Sequence, residues 1–149
     1  MKPTDRPLWT CPECGQSFVT ARMWHSCVRR TVDEFFAGHE DKRLLYDAFL
    51  ALVERFGRVT VNVSKTRISF QGRVRFAGVA GIRRDGLVCG FWLKRRIDSP
   101  RFSRVEHLPP GDHVYQFRLR HLDELDDEVA AWIEEAARVG RQAGFPHEP

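Results

Sequence analysis

The sequence predicts an α+β protein: a small N-terminal zinc-binding module, then a four- to five-stranded antiparallel sheet with amphipathic helices packed on one face. Three observations lead there. Three of the four cysteines and one histidine fall between Cys11 and Cys27. Apolar residues recur at helical spacing over residues 40–56 and again over 125–136, and between these stretches the period changes to two. The 149 residues, 42% of them hydrophobic, have room for one ordinary domain and a small appendage. The expected division is residues 1–30 for the module and 31–149 for the helix-flanked sheet.

In the module, Cys11-x2-Cys14 is followed after ten residues by His25-x-Cys27. These four side chains supply the ligand number and type of a closed tetrahedral zinc site. Gly15 permits the backbone turn that points two thiolates at one ion, and Phe18 sits where a small zinc module keeps a core aromatic. About thirty residues cannot bury enough apolar area to fold unaided, so structural Zn2+ is the expected role. A redox Cys-x-x-Cys belongs beside a βαβ pattern, which is absent, and four good ligands leave no open position for catalysis. The gap to His25 is shorter than in a two-Cys two-His finger, so no DNA-reading helix is expected. Cys89 stands alone in an apolar strand and reads as a buried small residue.

Next, Thr31 to Glu34 spells a capping box that starts a short helix ending near Gly38. A longer helix from about Glu40 places Leu45, Phe49, Leu52, Val53 and Phe56 on one stripe, with Gly57 just past its end. Residues 59–63, 67–71, 73–83, 87–95 and 113–120 alternate as strands, while Ser99 to Phe102 and Leu108 to Asp112 carry turn chemistry. A closing helix from about Asp123 to Val139 aligns Leu125, Val129, Trp132, Ile133 and Ala136. The last residues, from Gly144 to Pro149, read as a frayed tail.

The N-terminus lacks the apolar run of a signal peptide and no stretch suits a membrane span, so a cytoplasmic, reducing location is expected. The net charge of +4 hides a strong asymmetry: residues 58–121 carry 14 basic and 4 acidic side chains, whereas residues 122–149 carry 2 and 8. The basic middle implies an anionic partner for one surface.

If Asp85-Gly86 is a two-residue hairpin loop, Val74, Phe76, Ala80 and Ile82 share the core face with Cys89, Phe91 and Leu93. The open face then holds Arg73, Arg75, Ala77 and Val79 with Trp92, Lys94 and Arg96; Arg75 lies opposite Arg96, and Val79 opposite Trp92. Facing like charges are unfavourable unless an anion relieves them. A tryptophan among cations suits single-stranded nucleic acid, through stacking and phosphate contacts. Lys65, Arg67, Arg101 and Arg118 extend this candidate surface. Two other readings stand beside it: a solvated face whose arginines pair with acidic residues, those of the last helix among them, and a homodimer or protein-interaction seam containing Trp92. An enzyme acting on an anionic substrate is less favoured. His107, His113 and His121, near Asp98, Glu106 and Asp112, offer acid-base groups, but no nucleophile elbow, phosphate loop or catalytic metal motif accompanies them. No catalytic residue is assigned.

The order of "WTCPECGQSF", "WHSC", "VTVNVSKTRISFQ", "DSPRF", "HVYQFRL" and "DDEVAAWIEEA" resembles small bacterial proteins that join a zinc-ribbon-like segment to the domain of unknown function 5655 family. The resemblance covers nearly the whole chain. Its motif positions are Lys65, Thr66, Arg67, Ile68 and Phe70, then Asp98, Pro100, Arg101 and Phe102, then His113, Phe117 and Arg118. It implies an α+β domain and carries no activity.

Overall fold

The computed structural model describes residues 6–27 and 29–142, so the expected tail from Gly144 to Pro149 lies outside the described residues. The chain opens with a two-stranded antiparallel ribbon, β1 (Trp9–Thr10) and β2 (Ser17–Phe18). Helices α1 (Val32–Phe35) and α2 (Glu40–Glu54) follow. Six strands come next: β3 (Thr60–Val63), β4 (Ile68–Gln71), β5 (Arg75–Arg83), β6 (Gly86–Leu93), β7 (Phe102–Leu108) and β8 (Asp112–Leu119). Helix α3 (Asp127–Arg141) closes the described chain.

The predicted capping box at the start of α1 is formed. The Thr31 hydroxyl accepts from the Glu34 amide at 3.0 Å, and the Glu34 carboxylate accepts from the Thr31 amide at 3.0 Å. The last helix begins later than expected, because a single 3-10 turn at Leu122–Glu124 uses the first acidic residues and Asp126 caps α3 through the Val129 amide.

The large sheet is antiparallel throughout, in the order β3-β4-β5-β6-β8-β7. It has six strands rather than four or five. The additional strand is β7, an edge strand exposed along most of its length. With both faces wetted, it carries no apolar alternation to read.

Helices α2 and α3 cover one face. Phe49 packs 5.8 Å from Phe70 and 6.1 Å from Phe117, and Trp132 stacks on Phe91 at 5.4 Å. Phe49, Phe70, Phe91 and Phe117 are all essentially buried, each worth about 1.5–3 kcal/mol relative to exposure. Cys89 is fully buried among them, and burial pushes its thiol up. Residues of the last turn of α3 dock on the segment leading into β5, where the Gly140 carbonyl accepts from the amides of Arg73 and Val74.

The central hairpin corrects the expected register. Its two-residue loop is Arg84-Asp85, with Arg83 opposite Gly86, and a bulge between Val79 and Gly81 shifts the remaining pairs. Val79 faces Cys89, and Ala77 faces Phe91, so both lie on the helix-covered side instead of the open one. Ala80 is only half-buried, and Val74 precedes the strand. Trp92 pairs with Val114, not Val79. Arg75 opens β5 whereas Arg96 lies beyond the end of β6, so the two do not form the expected strand pair. A second bulge at Phe70/Gln71 leaves Phe76 as the extra residue, and its ring is buried against Gly140. Bulges add a residue without changing composition, which is why alternation alone misplaced the faces.

The opposite face carries a transverse row: Asn62, Ser69, Gly78, Gly90, Gln116 and Arg104 are successive partners across all six strands. Its centre is bare for a backbone reason, since a Cβ at Gly78 would lie 2.1 Å from the Ile68 carbonyl oxygen. The N-terminal ribbon docks at one end of this face. Gln71 donates to the Ser17 carbonyl at 2.5 Å, Arg73 to the Arg6 carbonyl at 2.9 Å, and the Arg75 guanidinium lies 5.3 Å from the Phe18 ring.

Candidate metal centre and the adjoining cleft

Cys11, Cys14, His25 and Cys27 converge from the ribbon and the segment after it. Their ligand atoms all lie within 4.8 Å of one another. Gly15, at φ 78°, closes the Cys11–Cys14 turn with its amide donating to the Cys11 carbonyl at 2.9 Å. The Cys11 and Cys27 sulfurs are 3.9 Å apart, and His25 Nε2 lies 3.3 Å from Cys14 Sγ and 3.5 Å from Cys27 Sγ. A tetrahedral ion with ordinary metal–sulfur and metal–nitrogen bonds needs edges of about 3.8 Å between sulfurs and about 3.6 Å from sulfur to nitrogen. The group fits a metal ion.

The surrounding bonds orient it. His25 Nδ1 lies 2.7 Å from the Met23 carbonyl, which can only accept, so Nδ1 carries a proton and the ring is held with Nε2 toward the sulfurs. Burial pushes the Cys14 thiol up, but hydrogen bonds from the backbone and side chain of Gln16, then from His25 and Cys11, outweigh it and bring the thiol down to about 6. Partial desolvation, reinforced by Cys14 and Cys11, pushes Cys27 up to about 12. Three thiols crowded together resist ionising together; a cation removes that resistance.

Gln16 was missed by sequence reasoning, and it is the joint of the site. Its side chain is buried, its amide nitrogen donates to Cys14 Sγ at 3.2 Å and to the Ser26 carbonyl at 2.9 Å, and its amide oxygen accepts from Arg75. Only the residue type, a polar side chain inside the Cys-Pro-Glu-Cys-Gly-Gln run, hinted at it. Burial holds the Arg75 guanidinium below its ordinary range, and its Nε has no hydrogen-bond partner among the described residues.

Beside the metal centre, the ribbon and the sheet enclose a cleft of about 290 Å³, to which Gln16, Trp24 and Arg29 contribute from one side and Asn62, Arg67 and Arg75 from the other. A shallower trough of about 210 Å³ continues over Gly78 and Gly90 to Trp92 and Gln116. Arg67 and Arg75 line both. Neither lining contains an aspartate or glutamate.

The other expected anion contacts divide into two groups. Lys65, Arg67 and Arg96 are exposed and make no ion pair among the described residues. The rest are engaged within the fold. Arg73 also donates to Gln142 at 3.0 Å, Lys94 pairs with Asp112, and Arg101 bonds Asp126 and Glu128, each at 3.0 Å, while lying 5.7 Å from the Trp132 ring. Arg118 shares Asp85 with Arg120 at 2.7 Å each, and these guanidiniums, Arg120 first, outweigh partial desolvation and hold the Asp85 carboxyl down at about 2. For Arg101 the partner is the acidic start of the last helix, one of the alternatives left open by the sequence. Among the histidines, His107 and His113 face each other across β7 and β8 with Nδ1 atoms 2.6 Å apart, and they line neither cleft. His121 instead begins the turn before α3.

A family model described as domain of unknown function (DUF5655) matches residues 32–139. The chain belongs to this family. The DUF5655 match spans the helices and the large sheet and starts after Cys27, so the Cys/His group lies outside the matched residues. No curated protein and no solved structure matches the chain. No helix among the described residues is long and apolar enough to cross a membrane.

Proposed function

We propose that the chain is a zinc-stapled nucleic-acid-binding protein, in which a module of residues 1–30 and the sheet domain of residues 31–149 together form the binding face. Three thiolates and an imidazole suit zinc by softness and geometry. With a divalent ion, three thiolates and a neutral imidazole leave one net negative charge, and Arg75, joined to the centre through Gln16, opposes it. Arg75 is therefore a link between centre and sheet rather than a phosphate contact.

The observation that carries the nucleic-acid reading is the pair of adjoining clefts on the open face, lined by three arginines and two tryptophans and by no acidic residue. Arg67, without an ion pair among the described residues, supplies a cation there, exposed Lys65 lies two residues before it in the β3–β4 turn, and Trp92 supplies an aromatic face. A reducing cytoplasm would keep the cysteines available to metal.

Fluorescence anisotropy of the zinc-loaded chain with single-stranded DNA, duplex DNA and RNA tests this. The expected result is binding that weakens with salt along a counterion-release slope and drops in Lys65→Ala/Arg67→Ala/Arg96→Ala. Binding that ignores the triple substitution, or no binding at low salt, contradicts it and turns attention to a protein partner or a homodimer.

A further inference from the structure

We infer that the cleft between the ribbon and the sheet is a subsite for one unstacked nucleobase with its phosphate, the base stacking on Trp24. This deepens the nucleic-acid reading and rests on it. Trp24 is 90% exposed, the most exposed large apolar side chain among the described residues. Folding gains nothing from so large a ring in water, and a bound base would cover it.

Its surroundings are matched to a nucleotide. Arg67 and Arg29 flank the cleft; Arg67 has no ion pair among the described residues, and Arg29 uses one guanidinium nitrogen on the Cys14 carbonyl and keeps others to donate. The sheet side is polar, with Asn62 and Ser69 on the transverse row and Thr66 in the β3–β4 turn. The Asn62 amide nitrogen is committed to Gln71 at 3.0 Å, which fixes the side chain. A base edge can bond such groups; an apolar peptide anchor would leave them unsatisfied.

The path onward is open. From β3 to β6 is three strand spacings, about 14 Å, and the floor over Gly78 and Gly90 has no side chains. Trp92 lies along this trough. Two aromatic stations separated by a bare floor and bordered by cations accept a single strand crossing the sheet. A duplex, whose bases are stacked on their neighbours, offers neither station a free face.

The test uses the zinc-loaded full chain with a fluorescent oligothymidylate of about ten nucleotides and a duplex of similar length, in wild type, Trp24→Ala, Trp24→Phe, Trp92→Ala and Arg67→Ala, with zinc content measured for each. Trp24→Ala should weaken single-strand binding about 5- to 150-fold, Trp24→Phe should keep most of it, and duplex affinity should not change. Arg67→Ala should make the salt slope shallower by about 0.7. Single-strand binding that is unchanged in Trp24→Ala but lost in Trp92→Ala overturns the subsite and leaves the nucleic-acid reading standing. A wild-type chain that binds neither probe overturns both.

Discussion

Replacing Gln16 separates the two jobs of the metal centre's neighbour. Gln16→Ala removes the donor to Cys14 Sγ at 3.2 Å, the donor to the Ser26 carbonyl at 2.9 Å, and the acceptor of Arg75. Removing one outer partner of a metal site costs about 10- to 100-fold in affinity. That is about 1.4–2.8 kcal/mol at the centre. Gln16→Glu is the sharper variant: a carboxylate still accepts from Arg75 but donates nothing to the sulfur and adds a negative charge beside it. Zinc affinity, measured by competition against chelators of graded strength, should fall at least as far in Gln16→Glu as in Gln16→Ala. If Gln16→Glu binds zinc like wild type, the sulfur does not depend on the amide donor, and the part assigned to Gln16 in the metal affinity is wrong.

Three further outcomes follow from other parts of the molecule. Cys27, held up to about 12, is protonated before metal arrives, so zinc uptake near neutral pH should release at least one proton per ion and apparent affinity should fall as pH falls; calorimetry in buffers of different ionisation enthalpy checks this, and zero proton release contradicts it. The Asp85 carboxyl is depressed to about 2, so its contribution to stability is present above the unfolded carboxylate range near 4 and is lost as pH falls through about 2; Asp85→Asn should therefore show a smaller loss of denaturation midpoint over that window than wild type. Gly78→Ala should cost about 1–3 kcal/mol in urea unfolding, because its Cβ would meet the Ile68 carbonyl across the strand pair, and a neutral substitution would refute that approach.

What was legible in the sequence was what is local. The Cys/His spacing put four candidate ligands in one short segment, the Thr31–Glu34 box announced its helix, and the apolar stripe of α2 became Leu45, Phe49, Leu52 and Val53 in the core. What was not legible depends on partners far along the chain. Gln16 meets Arg75 across 59 residues, so the ribbon's seat on the sheet left no trace in spacing, and Arg75 looked like a free cation. Arg101 meets Asp126 across 25 residues, which converted another apparent phosphate contact into a clamp on α3. The two bulges in β5 broke a register that alternation could not correct, and Trp24, outside any regular element, gave no periodic signal at all.

The claim that metal and sheet jointly build the binding face is tested most directly by one comparison: anisotropy of a single-stranded oligonucleotide titrated with the zinc-loaded chain and with the same chain after chelation, under reducing conditions and at matched salt. If zinc organises the residues that carry Trp24, Gln16 and Arg29 to the cleft, as proposed, affinity should fall at least tenfold on chelation and return when zinc is restored. Equal affinity with and without zinc would contradict the account, because the sheet alone would then be the whole of the binding face.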